Sequence, residues 1–221
     1  MSLNIATYIE HTLLKQTTTL ADIDKICLDA SMEGFVGVCV PPKYVQGAKK
    51  LLDGSNVIVS TVVGFPLGFA SIETKVKEIE NALHLGADEI DMVIDLGALK
   101  GGDIARLEEE ITSCLKPIYS AGKVLKVIVE SGILTENELR TCCKIYGQYD
   151  INFMKTSTGF ADKGVTVDAV KLMRELLPPR ISIKASGGIR NYAFAKELIN
   201  AGATRLGTSS GIQIIRESRG E

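Results

Sequence analysis

Two hydrophobic periods alternate along this chain. Short β-rich runs occur at residues 7–10, 35–40, 57–63, 89–94, 124–130, 152–155, 181–184 and 204–207. Longer segments between them carry helical spacing. In one, Ile72, Val76, Ile79 and Leu83 fall on one face and Gly86 follows as a stop. In another, Thr135 and Glu138 are spaced as a capping box, and Leu139, Cys142, Cys143 and Tyr146 then line one side. Pro178 and Pro179 end a helix after Leu177, and Gly122 and Gly202 punctuate two more. No linker, repeat or low-complexity tract interrupts the pattern, so one domain over 1–221 is expected. Strands alternating with helices predict parallel strands joined by crossover helices. Eight such units in this length predict a closed (β/α)8 TIM barrel. The alternative, an open doubly wound sheet, usually carries a glycine-rich fingerprint after its first strand. Here that segment reads His-Thr-Leu-Leu-Lys-Gln-Thr-Thr-Thr.

Within the runs, side chains alternate between faces. Ile90, Met92 and Ile94 share one face, and Glu89, Asp91, Val93 and Asp95 the other. Lys126, Ile128 and Glu130 oppose Leu125, Val127 and Val129; Phe153, Lys155 and Ser157 oppose Met154 and Thr156; Ser182, Lys184 and Ser186 oppose Ile181 and Ile183. The apolar sets belong under the helices, so the polar sets point into the barrel. Aliphatic residues normally fill that interior, and an unpaired charge there costs several kcal/mol. Asp91, Lys155 and Lys184 together therefore suggest a catalytic cluster. Mutually neutralising ion pairs are the alternative, and for Lys126 and Glu130 the two readings stand level.

Composition removes other classes. The 221 residues carry a formal net charge of −2, which gives no general attraction to nucleic acid or anionic membranes. No apolar run approaches a membrane span, and the N-terminus lacks the pattern of a signal peptide. The five cysteines, with Cys142 and Cys143 adjacent, read as reduced thiols in a cytoplasmic protein. Cys39, at the end of the second run, reads as a small buried thiol. Two histidines, His11 and His84, argue against a metal site of three imidazoles, although a carboxylate-bound Mg²⁺ stays open.

Lys155 and Lys184 end consecutive predicted strands, on the face where barrel active sites lie. Neighbouring strands are about 4.8 Å apart. At about 4 Å and an effective dielectric of about 20, two ammonium groups repel by about 4 kcal/mol. That suffices to bring one lysine from about 10.4 towards 7 and to free its amine for attack on a carbonyl. After the seventh run comes Ser186-Gly187-Gly188, and after the eighth Gly207-Thr208-Ser209-Ser210-Gly211, leading into an apolar stretch at 212–215 that suits a short helix. Such loops present backbone N–H groups to an anion, and barrels often bind phosphate there. A small phosphorylated substrate follows.

The stretches Phe153-Met154-Lys155-Thr156-Ser157-Thr158-Gly159-Phe160, Lys184-Ala185-Ser186-Gly187-Gly188-Ile189-Arg190, Asp88-Glu89-Ile90-Asp91-Met92-Val93 and 202–210 resemble the motifs of the deoxyribose-phosphate aldolase family. The resemblance implies reversible cleavage of 2-deoxy-D-ribose 5-phosphate to D-glyceraldehyde 3-phosphate and acetaldehyde. It implies that Lys155 forms the imine, that Lys184 lowers the Lys155 pKa and joins in proton transfer, and that Asp91 relays protons. Gly159, Gly187, Gly188, Gly207, Ser209 and Ser210 would bind substrate, with Glu10 and Thr158 as further relay candidates. Neither metal nor organic cofactor is required, because the imine is the electron sink. A homo-oligomer, homodimer or larger, is expected of such an enzyme. The chain departs from the family in two places. Glu10 stands where the family has Asp, with Gln16 where Pro usually follows Lys15, and the tail ends Arg216-Glu217-Ser218-Arg219-Gly220-Glu221 without a tyrosine. Another Schiff-base phosphosugar aldolase, or an imine-free phosphosugar isomerase or epimerase, is the alternative reading.

Overall fold

The computed structural model describes residues 3–221. Eight parallel strands close a barrel in sequence order. They are β1 (Ile9–Thr12), β2 (Gly37–Val40), β3 (Ile58–Val63), β4 (Glu89–Val93), β5 (Val124–Ile128), β6 (Phe153–Lys155), β7 (Ser182–Ser186) and β8 (Arg205–Thr208). The seam pairs Glu10 with Gly37 on one side and with Gly207 on the other. The open doubly wound alternative is thereby excluded.

The helices are α1 (Leu20–Glu33), α2 (Val45–Leu51), α3 (Ile72–His84), α4 (Leu96–Gly101), α5 (Ile104–Ala121), α6 (Glu136–Tyr146), α7 (Val167–Leu176), α8 (Tyr192–Asn200) and α9 (Gly211–Arg219). Their starts are chemically specified. Thr135 and Glu138 form the expected capping box, and Thr19 and Asp22 form another. Each gives orphan N–H groups at the helix start a side-chain acceptor. Gly122 takes the left-handed conformation that terminates α5. Leu139, Cys142, Cys143 and Tyr146 are buried as their spacing requires. All five cysteines are free and buried.

Strand alternation divides the barrel into two chemical zones. Ile90, Met92, Leu125, Val127, Met154, Ile183, Ala185 and Leu206 face the helices and join a single apolar cluster. Each of the larger ones, the Ile, Leu, Val and Met side chains, contributes roughly 1.5–3 kcal/mol on burial. The opposite faces carry Glu10, Glu89, Asp91, Lys126, Lys155, Lys184 and Arg205, all buried. Several boundaries differ from expectation. A 3-10 turn over Ile5–Tyr8 buries Ile5 and Ala6, so β1 starts two residues later than its β-rich run. β5 ends at Ile128, and Glu130 just beyond it is left-handed, with φ 54°. Asp95, expected to point inward with Asp91, instead caps α4 by accepting the Ala98 N–H at 2.9 Å.

Candidate active site

Parallel register brings the charges together. Asp91 is the Cα partner of Lys126 across β4–β5, and Lys155 of Lys184 across β6–β7. All four side chains converge on the barrel axis. Lys155 Nζ and Lys184 Nζ both donate to Asp91 Oδ2, at 2.8 and 2.6 Å. The two nitrogens are thus held within two hydrogen-bond lengths of each other. Lys126 donates to Asp91 Oδ1 at 2.7 Å and pairs with Glu89 at 2.6 Å. Lys184 also donates to Glu10 Oε1, and Arg205 Nη1 bridges Glu10 and Glu89 at 3.1 Å each. The extra methylene of Glu10, relative to the family's Asp, still lets its carboxylate reach Lys184.

Four cations, Lys126, Lys155, Lys184 and Arg205, face three carboxylates, Glu10, Glu89 and Asp91. One positive charge in excess suits either a neutral amine or an incoming dianion. Burial opposes ionisation of Asp91, but Lys126, Lys155 and Lys184 outweigh it and hold the acid well below the usual carboxylate range. Glu10 is likewise opposed by burial yet lowered to about 2, chiefly by Lys126 and Lys184. The expectation that Lys184 lowers the Lys155 pKa towards 7 does not match the direction found for Lys155, which is upward. Burial pushes Lys155 down, but the Asp91 carboxylate against it reverses the direction and raises it. Asp91, wedged between the two ammonium groups, screens their repulsion.

Only one lysine of the pair reaches open space. A cavity of about 240 Å³ is lined by Lys155, Thr158, Gly159, Phe160, Ser186, Gly187, Gly207 and Ser209, with residues 12–15 on the far side. Lys184 and Asp91 lie beneath it, fully buried. Gly207 makes room for Lys184: a Cβ there would stand 3.0 Å from Lys184 Cε. Gly187, at φ 89°, is left-handed and closely packed against Ser157 and Gly164. Among the other residues expected to bind phosphate, Gly188 and Ser210 lie off the cavity lining, and Ser210 precedes α9. Thr158 lines the cavity, but its hydroxyl donates to Glu130 Oε2.

Glu10, Cys39 and Asp91 place one potential metal-ligand atom each within 4.8 Å of one another. Their charge is already matched by the lysines, and burial pushes the Cys39 thiol up to about 12, which keeps it neutral. A divalent ion there would meet three ammonium groups, so the cluster suits proton transfer better than metal binding. His11 lies outside the site, beside Thr208 O and edge-on to Phe35.

Sequence reasoning missed Arg205, which shares the inward face of β8 with Gly207. It also missed Lys15 and Phe160 as cavity walls. The alternation rule applied to 204–207 exposes Arg205; no comparable signal marks the other two, which belong to loops.

The model of the DeoC/LacD family aldolases matches residues 5–217. This chain belongs to the DeoC/LacD aldolase family. It is 46% identical to a deoxyribose-phosphate aldolase of Streptococcus pneumoniae over 209 residues, covering 95% of this chain and 94% of the relative. The fold superposes on a candidate deoxyribose-phosphate aldolase from Coccidioides immitis with a TM-score of 0.94 at 36% identity, covering 98% of this chain and 86% of the other. It also matches the tetrameric deoxyribose phosphate aldolase of Aeropyrum pernix, with a TM-score of 0.91 at 31% identity, covering 97% and 91%. Among the described residues, no helix is long and apolar enough to cross a membrane.

Proposed function

We propose that this protein cleaves 2-deoxy-D-ribose 5-phosphate reversibly to D-glyceraldehyde 3-phosphate and acetaldehyde, through an imine on Lys155. One observation carries the assignment: of two lysines sharing Asp91 Oδ2, Lys155 alone lines the cavity. The Lys155 amine attacks the substrate aldehyde, water leaves, and a protonated imine results. The C2–C3 electron pair flows into that imine as the C3 hydroxyl loses its proton, which releases D-glyceraldehyde 3-phosphate. The remaining enamine takes a proton at C2, and hydrolysis returns acetaldehyde and the free lysine. The iminium is the electron sink, so the chemistry asks only for proton carriers. Asp91, in contact with both lysines, is the relay through which the Lys155 proton leaves before attack. Lys184 is the ammonium that shares this relay, and Glu10 holds it in place.

The excess positive charge and the glycines of the β7 and β8 loops support a phosphate subsite at Gly159, Gly187, Gly207 and Ser209. Gly188 and Ser210 would serve by shaping these loops. We assign the whole chain, 1–221, to one catalytic domain. The tetrameric relative supports a homo-oligomer, and five unpaired cysteines support a reducing, cytoplasmic setting for deoxyribose phosphate catabolism.

Borohydride added with acetaldehyde, followed by peptide mass mapping, should leave a reduced adduct on Lys155. Deoxyribose 5-phosphate should release acetaldehyde in a coupled assay. An adduct on another lysine would move the imine off Lys155; no adduct and no acetaldehyde release would refute the imine and favour an isomerase or epimerase.

A further inference from the structure

Glu130 is the one non-glycine residue with positive φ among the described residues. A left-handed glutamate is unfavourable for an L residue, so something around it must hold it there. Its carboxylate is buried just beyond the end of β5 and is not among the carboxylates that pair with the lysines around Asp91. Both oxygens accept the Thr158 N–H, at 3.1 and 3.3 Å, and Oε2 also accepts the Thr158 hydroxyl. The Thr158 Oγ1 in turn accepts the Phe160 N–H at 3.1 Å. The β5–β6 ladder continues past the strands on both sides of this residue. Val129 N–H donates to Lys155 O at 3.1 Å, and Ser131 N–H to Thr156 O at 2.7 Å. The left-handed step therefore falls between two ladder bonds and directs the Glu130 carboxylate at the next turn of the β6 loop.

That loop supplies Thr158, Gly159 and Phe160 to the cavity wall, three to five residues beyond Lys155. We infer that Glu130 is a positioning residue, whose carboxylate clamps the Thr158-Gly159-Phe160 segment in the shape that receives the phosphorylated part of the substrate. The Thr158 hydroxyl hydrogen is spent on the clamp, so Thr158 serves as its second half rather than as a proton relay. Lys155 precedes the clamped segment and is fixed separately by β6 and by Asp91. Loss of the clamp thus weakens phosphosubstrate recognition while sparing imine formation with acetaldehyde. This inference rests on the proposed reaction.

The test uses Glu130→Gln, which keeps the shape, and Glu130→Gly, which removes the carboxylate and relaxes the left-handed backbone. Parent enzyme turning over deoxyribose 5-phosphate verifies the underlying reading first; without that turnover the reading itself fails, independently of Glu130. Each variant is then assayed for KM and kcat with deoxyribose 5-phosphate, for borohydride trapping with acetaldehyde alone, and for thermal midpoint. We expect KM to rise about tenfold or more, kcat to fall less, and the trapping to stay within about twofold. Thr158→Ser, which retains the hydroxyl, should keep KM near the parent value, whereas Thr158→Val should follow Glu130→Gln. A folded Glu130→Gln or Glu130→Gly enzyme with the parent KM overturns the inference. So does equal loss of trapping and turnover, which would make Glu130 a general structural support. Should Glu130→Gly fail to fold, Glu130→Gln alone decides between these results.

Discussion

At the scale of single residues, the site depends on one carboxylate oxygen shared by two lysines. Asp91 raises the Lys155 pKa, whereas an ammonium at Lys184 on the same carboxylate oxygen should favour the neutral Lys155 amine, so the two neighbours can be separated by their signs. Replacing Asp91 with Asn removes the stabilising anion and leaves two ammonium groups facing each other. The pH at which borohydride trapping by acetaldehyde half-develops should then move down, even as turnover falls. Replacing Lys184 with Leu removes a positive charge, and that pH should move up. Shifts in the same direction for both variants would show that Asp91 and Lys184 do not act on Lys155 by charge. Lys155→Arg keeps the cation and Asp91 contact but has no nucleophilic amine. Turnover should fall by at least about 10³-fold, in line with removal of an essential nucleophile, while circular dichroism stays native. Residual activity near the parent level would refute the assignment.

At the scale of elements, the apolar stripe of α3 conceals a charge. Ile72, Lys75 and Ile79 share the buried face, and Lys75 Nζ donates to Glu110 of α5 at 2.5 Å and to Val93 O at 2.8 Å. The other Glu110 oxygen accepts the Asp95 N–H at 3.1 Å. The pair therefore ties two helices to the end of β4 and to the start of α4, directly beyond Asp91. Lys75→Met would strand the Glu110 carboxylate and should cost about 3–5 kcal/mol, read from urea unfolding midpoints. Changing both residues to apolar partners of similar volume should recover most of that loss. Equal losses in the single and double variants would argue that packing, not pairing, matters there. This region also shows what could be read in advance. The strand periods revealed the barrel, its order and the inward faces of β4 to β7, because alternation is a local property. The motif-bearing residues Lys155, Lys184 and Asp91 were legible for the same reason. Lys75 was not, because its partner lies 35 positions away and helical spacing marks only that the face is buried. Glu130 was expected on the inward face of the fifth strand, but it lies beyond that strand's end, and its left-handed backbone goes with a contact to Thr158 that no local pattern records. The Asp91 screening of Lys155 was missed because it depends on which carboxylate occupies the gap between two strands.

At the scale of the whole molecule, a barrel interior built of charges makes stability depend on pH. Glu10 has a folded pKa of about 2 against an ordinary 4.5, and Asp91 lies well below its ordinary 3.8. Between the folded and unfolded values the unfolded chain binds more protons, so stability falls as pH falls. The contribution of Glu10 is complete above about 4.5 and disappears as pH drops towards about 2. Urea midpoints should therefore hold steady from pH 7 to about 5 and decline below it. Glu10→Gln offers the sharper measurement. The variant lacks the anion that Lys184 and Arg205 lean on, so it should be less stable than the parent at pH 7. Below about 4.5 the unfolded parent takes up a proton at Glu10 that the folded parent does not, so the gap between the two proteins should narrow as pH is lowered to 3. A gap that stays constant from 7 to 3 would mean that Glu10 stabilises the barrel by shape alone. The carboxylates facing these lysines would then have to be Asp91 and Glu89, and the hold of Glu10 on Lys184 would have to be abandoned.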